Sequence, residues 1–155
     1  ILDGQDFVYV VDHGNHRVQK FTPEGEFVAK FGSQGTDAGQ LNYPSDVSVD
    51  PDGDVYVCDW GNNRVQIFAP DGKFLATLVG DAQQLGKWHQ DVVNANLDNQ
   101  RARRRADLSM EWLLQMPRGV TFDPAKDRIL IADTQRGRIQ IYDKPKNYME
   151  PQLNL

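Results

Sequence analysis

The chain has 155 residues, 39% hydrophobic, 10% aromatic and 25% charged, a composition that excludes a disordered or fibrous polymer and suffices for a folded core. Its longest apolar run, Phe7 to Val11, falls far short of the roughly 18–20 residues that a bilayer-crossing helix requires, so no membrane span is expected. A net charge of −5 lowers the expectation of nucleic-acid binding, and the single cysteine, Cys58, excludes an internal disulfide framework.

Taken in chain order, the first segment with strand chemistry is Val8-Tyr9-Val10-Val11-Asp12, followed by the loop His13-Gly14-Asn15-His16 and a second strand, Arg17-Val18-Gln19-Lys20-Phe21. Pro23 presets φ and Gly25 supplies a positive φ for the next turn. The same pattern returns 47 residues later as Val55 to Phe68, and 74 residues after that as Ile129 to Tyr142. A second block, Pro44-Ser45-Asp46-Val47-Ser48-Val49-Asp50-Pro51, precedes the middle copy and recurs as Pro117 to Pro124. The middle copy predicts strands at 46–50, 54–59, 64–69 and 74–79, with turns at Pro51-Asp52-Gly53 and Pro70-Asp71-Gly72. Its second strand is a continuous apolar run that suits burial on both faces, while the third mixes Gln and Arg with Val and Ile and is expected nearer the rim.

The longer second interval carries 27 extra residues, and the segment 81–115 exchanges strand chemistry for helical period. Leu85, Trp88, Val92 and Val93 mark one stripe after a cap at Asp81, and Leu108, Trp112 and Met116 mark another after a cap at Asp98. Two amphipathic helices are expected, at 83–95 and 99–115, forming a hairpin that covers its own unit or reaches a neighbour.

A lone four-stranded sheet cannot bury both faces, whereas sheets stacked around an axis can, which is the physics of a β-propeller. The run of strand, Asp, loop, Asn15-His16-Arg17, strand, then Pro-acid-Gly resembles the NHL-repeat family. The stretches Phe31-Gly32-Ser33-Gln34-Gly35 and Gly39-Gln40-Leu41-Asn42-Tyr43-Pro44 resemble the connector that family places between units. Asn63 and Gly137 replace the histidine, and Asp143-Lys144-Pro145-Lys146 replaces the glycine turn in the third unit. The expected fold class is all-β, a propeller of four-stranded blades at about 1–32, 44–80 and 116–155, with the helical insertion at 81–115. The resemblance implies rings of about six blades, so three blades imply a head-to-tail homodimer, a further stretch of the same polypeptide, or another closed assembly. Ile1 and Leu2 align with Ser48 and Val49, so most of the first unit's innermost strand is missing and about 11 strands are expected. An address segment could precede Ile1, which leaves the compartment open.

Asp12, Asp59 and Asp133, with Arg17, Arg64 and Arg138, occur in every unit. A residue needed at one chemical site has no reason to appear in each blade, so these are expected to hold loops and to form blade-to-blade ion pairs. Candidates for ligand contact are the departures from the repeat at the same end: His13, His16, Trp60 and Arg136. His13 and His16, three apart, form a weaker metal-site candidate, for which His89 would have to fold back over the loop. Arg101, Arg103, Arg104 and Arg105 form a basic cluster that suits phosphate contact or, more simply, pairing with Asp98, Asp107 and Glu111. Asp46 and Asp123 suit turn capping as well as a hydrolase or calcium site, and Cys58 reads as a small buried apolar residue. The leading expectation is a non-catalytic binding or assembly scaffold, without a cofactor, for a protein, peptide or small ligand. The alternatives are a metal-dependent enzyme resembling peptidyl-hydroxyglycine lyases or propeller lactonases, and RNA binding through the arginines.

Overall fold

The computed structural model describes residues 1–85, 87–144, 146 and 148. Among these, ten strands form three antiparallel sheets. The first holds β1 (Val8–Asp12), β2 (Arg17–Phe21) and β3 (Phe27–Phe31). The second holds β4 (Asp46–Val49), β5 (Val55–Asp59), β6 (Arg64–Phe68) and β7 (Phe74–Leu78). The third holds β8 (Pro117–Asp123), β9 (Arg128–Asp133) and β10 (Arg138–Asp143), and the fourth strand expected for this unit lies outside the described residues. Sequence neighbours are spatial neighbours, with Asp12 opposite Arg17, Asp59 opposite Arg64 and Asp133 opposite Arg138. Gly25 and Gly72 both take φ of +90° and donate their N–H to the carbonyl three residues earlier, Thr22 or Ala69, which closes the same turn in two units. Leu2 bridges Val8, and Ile1 exchanges backbone bonds with Tyr9, the register that Val49–Val55 and Ser48–Tyr56 have in the second sheet.

The core follows from the two-residue period of β5. Val55 and Val57 point to the first sheet, where they meet Tyr9, Val18 and Phe31, whereas Tyr56 and Cys58 point to the third, where they meet Val120, Ile129 and Ile131. Each fully buried Val, Leu or Ile contributes about 1.5–3 kcal/mol, so the two interfaces hold the stack together. Leu41 and Leu114, from the segments that lead into the second and third sheets, complete the two clusters. The inner strands are joined by side chains. Asp46 accepts the N–H of Val120 (2.9 Å), Ser48 that of Phe122 (3.1 Å), and the Ser45 hydroxyl donates to the Pro117 carbonyl (3.0 Å). The inner edge of β8 thus keeps no unpaired donors at these positions, and Asp46 is a structural acceptor.

Three expectations are corrected. β6, placed near the rim by its Gln and Arg, is buried along nearly its whole length, and β7 is the half-exposed strand, because Gln66 finds polar partners inside. The first helix is shorter, α1 spanning Lys87–Asn94, and Asp81 does not cap it: its backbone N–H meets Gln140 Oε1 at 3.4 Å. The second helix, expected at 99–115, is α2, Leu97–Arg103, capped by Asn96, whose side chain accepts from the N–H groups of Asp98 and Asn99. Beyond it the chain turns, makes one 3-10 turn at Ser109–Glu111 and runs extended, because the Leu114 N–H bonds the Val79 carbonyl (2.8 Å) and the Ala82 N–H bonds that of Trp112 (3.0 Å). The end of the insertion is therefore an inter-sheet connector.

Candidate functional site

Both the turns from the second to the third strand of each unit and the connectors lie at one end of the stack. Each turn is one 3-10 turn, at His13–Asn15, Trp60–Asn62 and Thr134–Arg136, ended by a left-handed residue: His16, Asn63 and Gly137, with φ of 55°, 56° and 58°. Gly, Asn and His are among the residues that tolerate this region best, which explains the variation at that position.

The recurring Asp and Arg pair within a sheet and not between sheets, because they face each other across adjacent strands. Arg17 Nε reaches Asp12 at 2.8 Å, Arg64 reaches Asp59 at 2.7 Å, and Arg138 reaches Asp133 at 2.7 Å. The Arg17 guanidinium and then the Asn15 amide hold the Asp12 carboxyl below its ordinary value. In the second unit the pair also grips the connector. Asp59 Oδ1 accepts the Asn42 N–H (2.6 Å), Arg64 Nη2 donates to the carbonyls of Asp37 (2.9 Å) and Gln40 (2.8 Å), and Gln66 Oε1 accepts the Gly39 N–H (2.8 Å). The third unit repeats this with Gln115 N–H on Asp133 (2.8 Å) and Arg138 Nη2 on the carbonyls of Glu111 (2.8 Å) and Leu113 (3.0 Å). A connector is thus fixed by hydrogen bonds to its own carbonyls and N–H groups, and charge assistance makes several of them strong.

His13 and His16 serve different backbone partners. His13 Nδ1 donates to the Pro44 carbonyl (2.9 Å), whereas His16 Nδ1 accepts the N–H of Tyr43 (3.1 Å), so the two rings are engaged separately with the next connector. The Tyr43 ring packs against both imidazoles, at 5.2 and 4.4 Å between centroids. The acceptor role of His16 recurs in Asn63, whose Oδ1 takes the Met116 N–H at 2.8 Å, and both recipients, Tyr43 and Met116, have φ of 51°. Sequence reasoning missed this latch from unit to unit, although His and Asn at equivalent positions were its signal. At Gly137 no side chain is present, and the ring of exposed His89 lies above it, 3.4 Å from where a Cβ would stand. Among the described residues no three His, Cys, Asp or Glu side chains converge as metal ligands.

Trp60 lies half-buried beside His13, with 6.5 Å between ring centroids, and its Nε1 is buried without a partner among the described residues. Arg136 sits in the third loop, donates to the Met110 carbonyl (2.8 Å) and leaves its Nε without a partner among the described residues. The arginine cluster is divided. Arg103 binds Glu111 through two hydrogen bonds (2.6 and 2.7 Å), Arg101 meets Asp98 at 3.3 Å, and Arg104 and Arg105 are exposed. Asp107 caps the Ser109 N–H and Asp123 that of Ala125, both as turn acceptors. At the opposite end, the hairpin turns of the first two sheets enclose a cavity of about 400 Å3 lined by Asp3, Lys20, Asp50 and Asp52 among others. There, although burial opposes its charge, Lys144 is held above the ordinary lysine value by Asp50 (2.7 Å) and Asp52, while burial raises the Asp54 carboxyl, which accepts from the Tyr148 hydroxyl.

The family described as NHL repeat matches residues 41–68 and 114–142, the segments that contain these loops and connectors. The chain carries NHL repeats. Solved structures similar to this NHL chain include an auxiliary nutrient binding protein from Bacteroides thetaiotaomicron, at 18% identity over 87% of this chain and 34% of that one, with a TM-score of 0.54. A catalytically inactive virginiamycin B lyase from Staphylococcus aureus matches at 13% identity over 94% of this chain and 40% of that one, with a TM-score of 0.47. A streptogramin B lyase matches at 15% identity over 96% of this chain and 40% of that one, with a TM-score of 0.48. The NHL chain therefore spans 34–40% of the length of these propeller chains. No curated protein matches it. No helix among its described residues is long and apolar enough to cross a membrane.

Proposed function

We propose that the chain is a section of an NHL propeller that serves as a binding and assembly scaffold, and that its two open sheet faces pair first with a second copy, head to tail. The supporting observation is a mismatch in exposure between equivalent residues. Val57 and Phe74 pack against the first sheet, yet their counterparts Val10 and Phe27, 47 residues earlier, are 42% and 57% exposed. Val65 is wholly buried against the third sheet, yet its counterpart Ile139 is 64% exposed. Apolar faces of this kind are surfaces that a partner of matching chemistry covers. Two chains of three blades give six, inside the range of about four to eight in which propellers close. The end that carries the connectors, Trp60, Arg136 and the α1–α2 hairpin then receives a protein, peptide or small ligand. His16 Nδ1 accepts the Tyr43 N–H, which leaves the proton of that neutral ring on Nε2, so the two imidazoles do not both offer a lone pair to one metal ion, which supports this reading over a metal-dependent enzyme.

Light scattering on the pure chain tests the pairing. A mass near twice 17.6 kDa is expected, falling to one chain in Phe27→Glu and in Ile139→Glu with the far-ultraviolet circular dichroism unchanged. A well-folded monomer of the unaltered chain overturns it.

A further inference from the structure

In the register of the repeat, Lys20, opposite Tyr9 in the first sheet, stands where Ile67 stands opposite Tyr56 in the second and Ile141 opposite Leu130 in the third. Ile67 is wholly buried, and Lys20 is itself only 9% exposed. Burying an ammonium is costly unless it is paired and hydrogen-bonded, and two of the three units fill this position with an apolar side chain. The lysine is a departure from the repeat, and its pairing is incomplete. Among the described residues the nearest carboxylate oxygen, Asp3 Oδ2, lies 3.8 Å from Lys20 Nζ, beyond hydrogen-bond distance, and the Nζ stands 4.2 Å from the centroid of the Phe7 ring. Lys144, by contrast, reaches Asp50 at 2.7 Å. Asp3 has its own donors: the N–H groups of Gln5 (2.9 Å) and Phe7 (3.0 Å) and the Tyr9 hydroxyl (3.2 Å). Asp50 is held in the same way by the N–H groups of Asp52 (2.9 Å) and Asp54 (3.1 Å) and the Tyr56 hydroxyl (2.7 Å). The turn that contains Asp3 is therefore built without Lys20.

Lys20 lines the cavity of about 400 Å3 between the first two sheets, together with Asp3, Asp50, Asp52, Pro51 and Pro70 among others. That volume lies within the roughly 300–1,000 Å3 of small-ligand sites. An ammonium has three N–H donors and no acceptor, so an occupant must offer it oxygen. The carboxylates of Asp3, Asp50 and Asp52 outnumber the ammonium groups of Lys20 and Lys144 that face them, which disfavours a free anion. The Lys20 charge disfavours a metal cation. A hydroxyl group both accepts and donates, so it suits an ammonium and a carboxylate side by side, and Pro51 and Pro70 add C–H surface for a ring. We propose that this cavity binds a small neutral polyol, of the sugar or cyclitol class, whose hydroxyls accept from Lys20 Nζ and donate to the carboxylates of Asp3 and Asp52. Both walls belong to one chain and lie at the end opposite the connectors, so the site does not depend on the pairing of copies.

Melting curves of the full chain at one fixed concentration, with methyl glucoside, methyl mannoside, myo-inositol, glycine or inorganic phosphate, are the test. A polyol with a dissociation constant of about 1 mM, supplied at about 20 mM, is expected to raise the melting temperature by about 4 °C. Lys20→Ile gives the first unit the residue of the other two, and it is expected to fold and to lose that rise. In the unaltered chain the same polyol should slow acetylation of the Lys20 amine by acetic anhydride about tenfold or more, read by mass spectrometry of the digested protein. If Lys20→Ile does not fold, this protection decides alone. No rise and no protection with any of the three polyols overturns the proposal, as does a rise that persists in Lys20→Ile. A response to glycine or phosphate alone that depends on Lys20 overturns the assignment to a polyol.

Discussion

Replacing Asp59 by Ala removes an acceptor that takes four N–H groups: Arg64 Nε (2.7 Å), Asn62 Nδ2 (2.9 Å), Gln66 Nε2 (3.1 Å) and the Asn42 backbone (2.6 Å). Asp59 is wholly buried and the Arg64 side chain is 14% exposed, so the variant leaves a guanidinium without a counter-charge and a buried amide short of an acceptor. Removing one partner of a buried pair costs about 3–5 kcal/mol, a large part of the roughly 5–15 kcal/mol that holds a domain folded. In urea, with a slope of about 2 kcal/mol per molar, that loss lowers the midpoint by about 2 M. Asp12→Ala deletes the equivalent residue where the paired Arg17 and Asp12 side chains are 37% and 22% exposed, and its shift should be a small fraction of the first. Both variants are compared with the unaltered chain at one fixed concentration, because any assembly contributes to the apparent stability. Equal midpoint shifts for the two would refute the idea that the connector makes this position structural.

Three further outcomes are expected. Gly61→Ala should lower the melting temperature, at about 1–3 kcal/mol, because the new Cβ meets the Asn42 carbonyl oxygen at 2.7 Å, while Gly14→Ala should raise it slightly; shifts of the same sign would contradict the close packing of the connector on Gly61. Burial pushes the Cys58 thiol well up, so Ellman's reagent at pH 8 should label it only as fast as the chain unfolds, and prompt labelling of native protein would contradict its place in the core. Glu111 is held below its ordinary value by Arg103, so the stability it contributes is present above the unfolded carboxylate pKa of about 4.3 and is lost as pH falls through the folded one. Urea midpoints of Glu111→Gln and the unaltered chain should therefore converge below about pH 4, and a constant gap down to pH 3 would rule out this linkage.

The strands were legible because three copies of one pattern share their turn chemistry, and because Val55 to Cys58 alternates between two apolar interfaces without a polar interruption. The end of the insertion was not. Leu108, Trp112 and Met116 have helical spacing, yet the residue that enters the core is Leu114, off that stripe, and the backbone bonds of residues 112–114 go to Val79 and Ala82 in place of a helix. Tertiary pairing overrides local period in a segment this short. The sequence placed the candidate residues at the end that carries the connectors, where the structure has them, but the partners of His16 and Asn63 were hidden, since both reach across to another unit and no local spacing encodes that bond.

The repeat itself separates the two kinds of residue at this end. In each unit Asp accepts from the Arg Nε and the Gln Nε2, whereas the first position of the 3-10 turn changes from His13 to Trp60 to Thr134 on an unchanged backbone. Each of these makes a different use of the position: His13 bonds the Pro44 carbonyl, Thr134 bonds the Ala132 carbonyl at 3.3 Å, and Trp60 leaves its Nε1 donor without a partner among the described residues. A surface built by varying side chains over a constant frame discriminates ligands without altering stability, because the frame carries the hydrogen bonds that hold the loops. In a ring of two copies every one of these side chains would occur twice, on opposite sides of one axis. A ligand suited to that face would then be either two-fold symmetric or bound twice, which a binding stoichiometry per ring distinguishes directly.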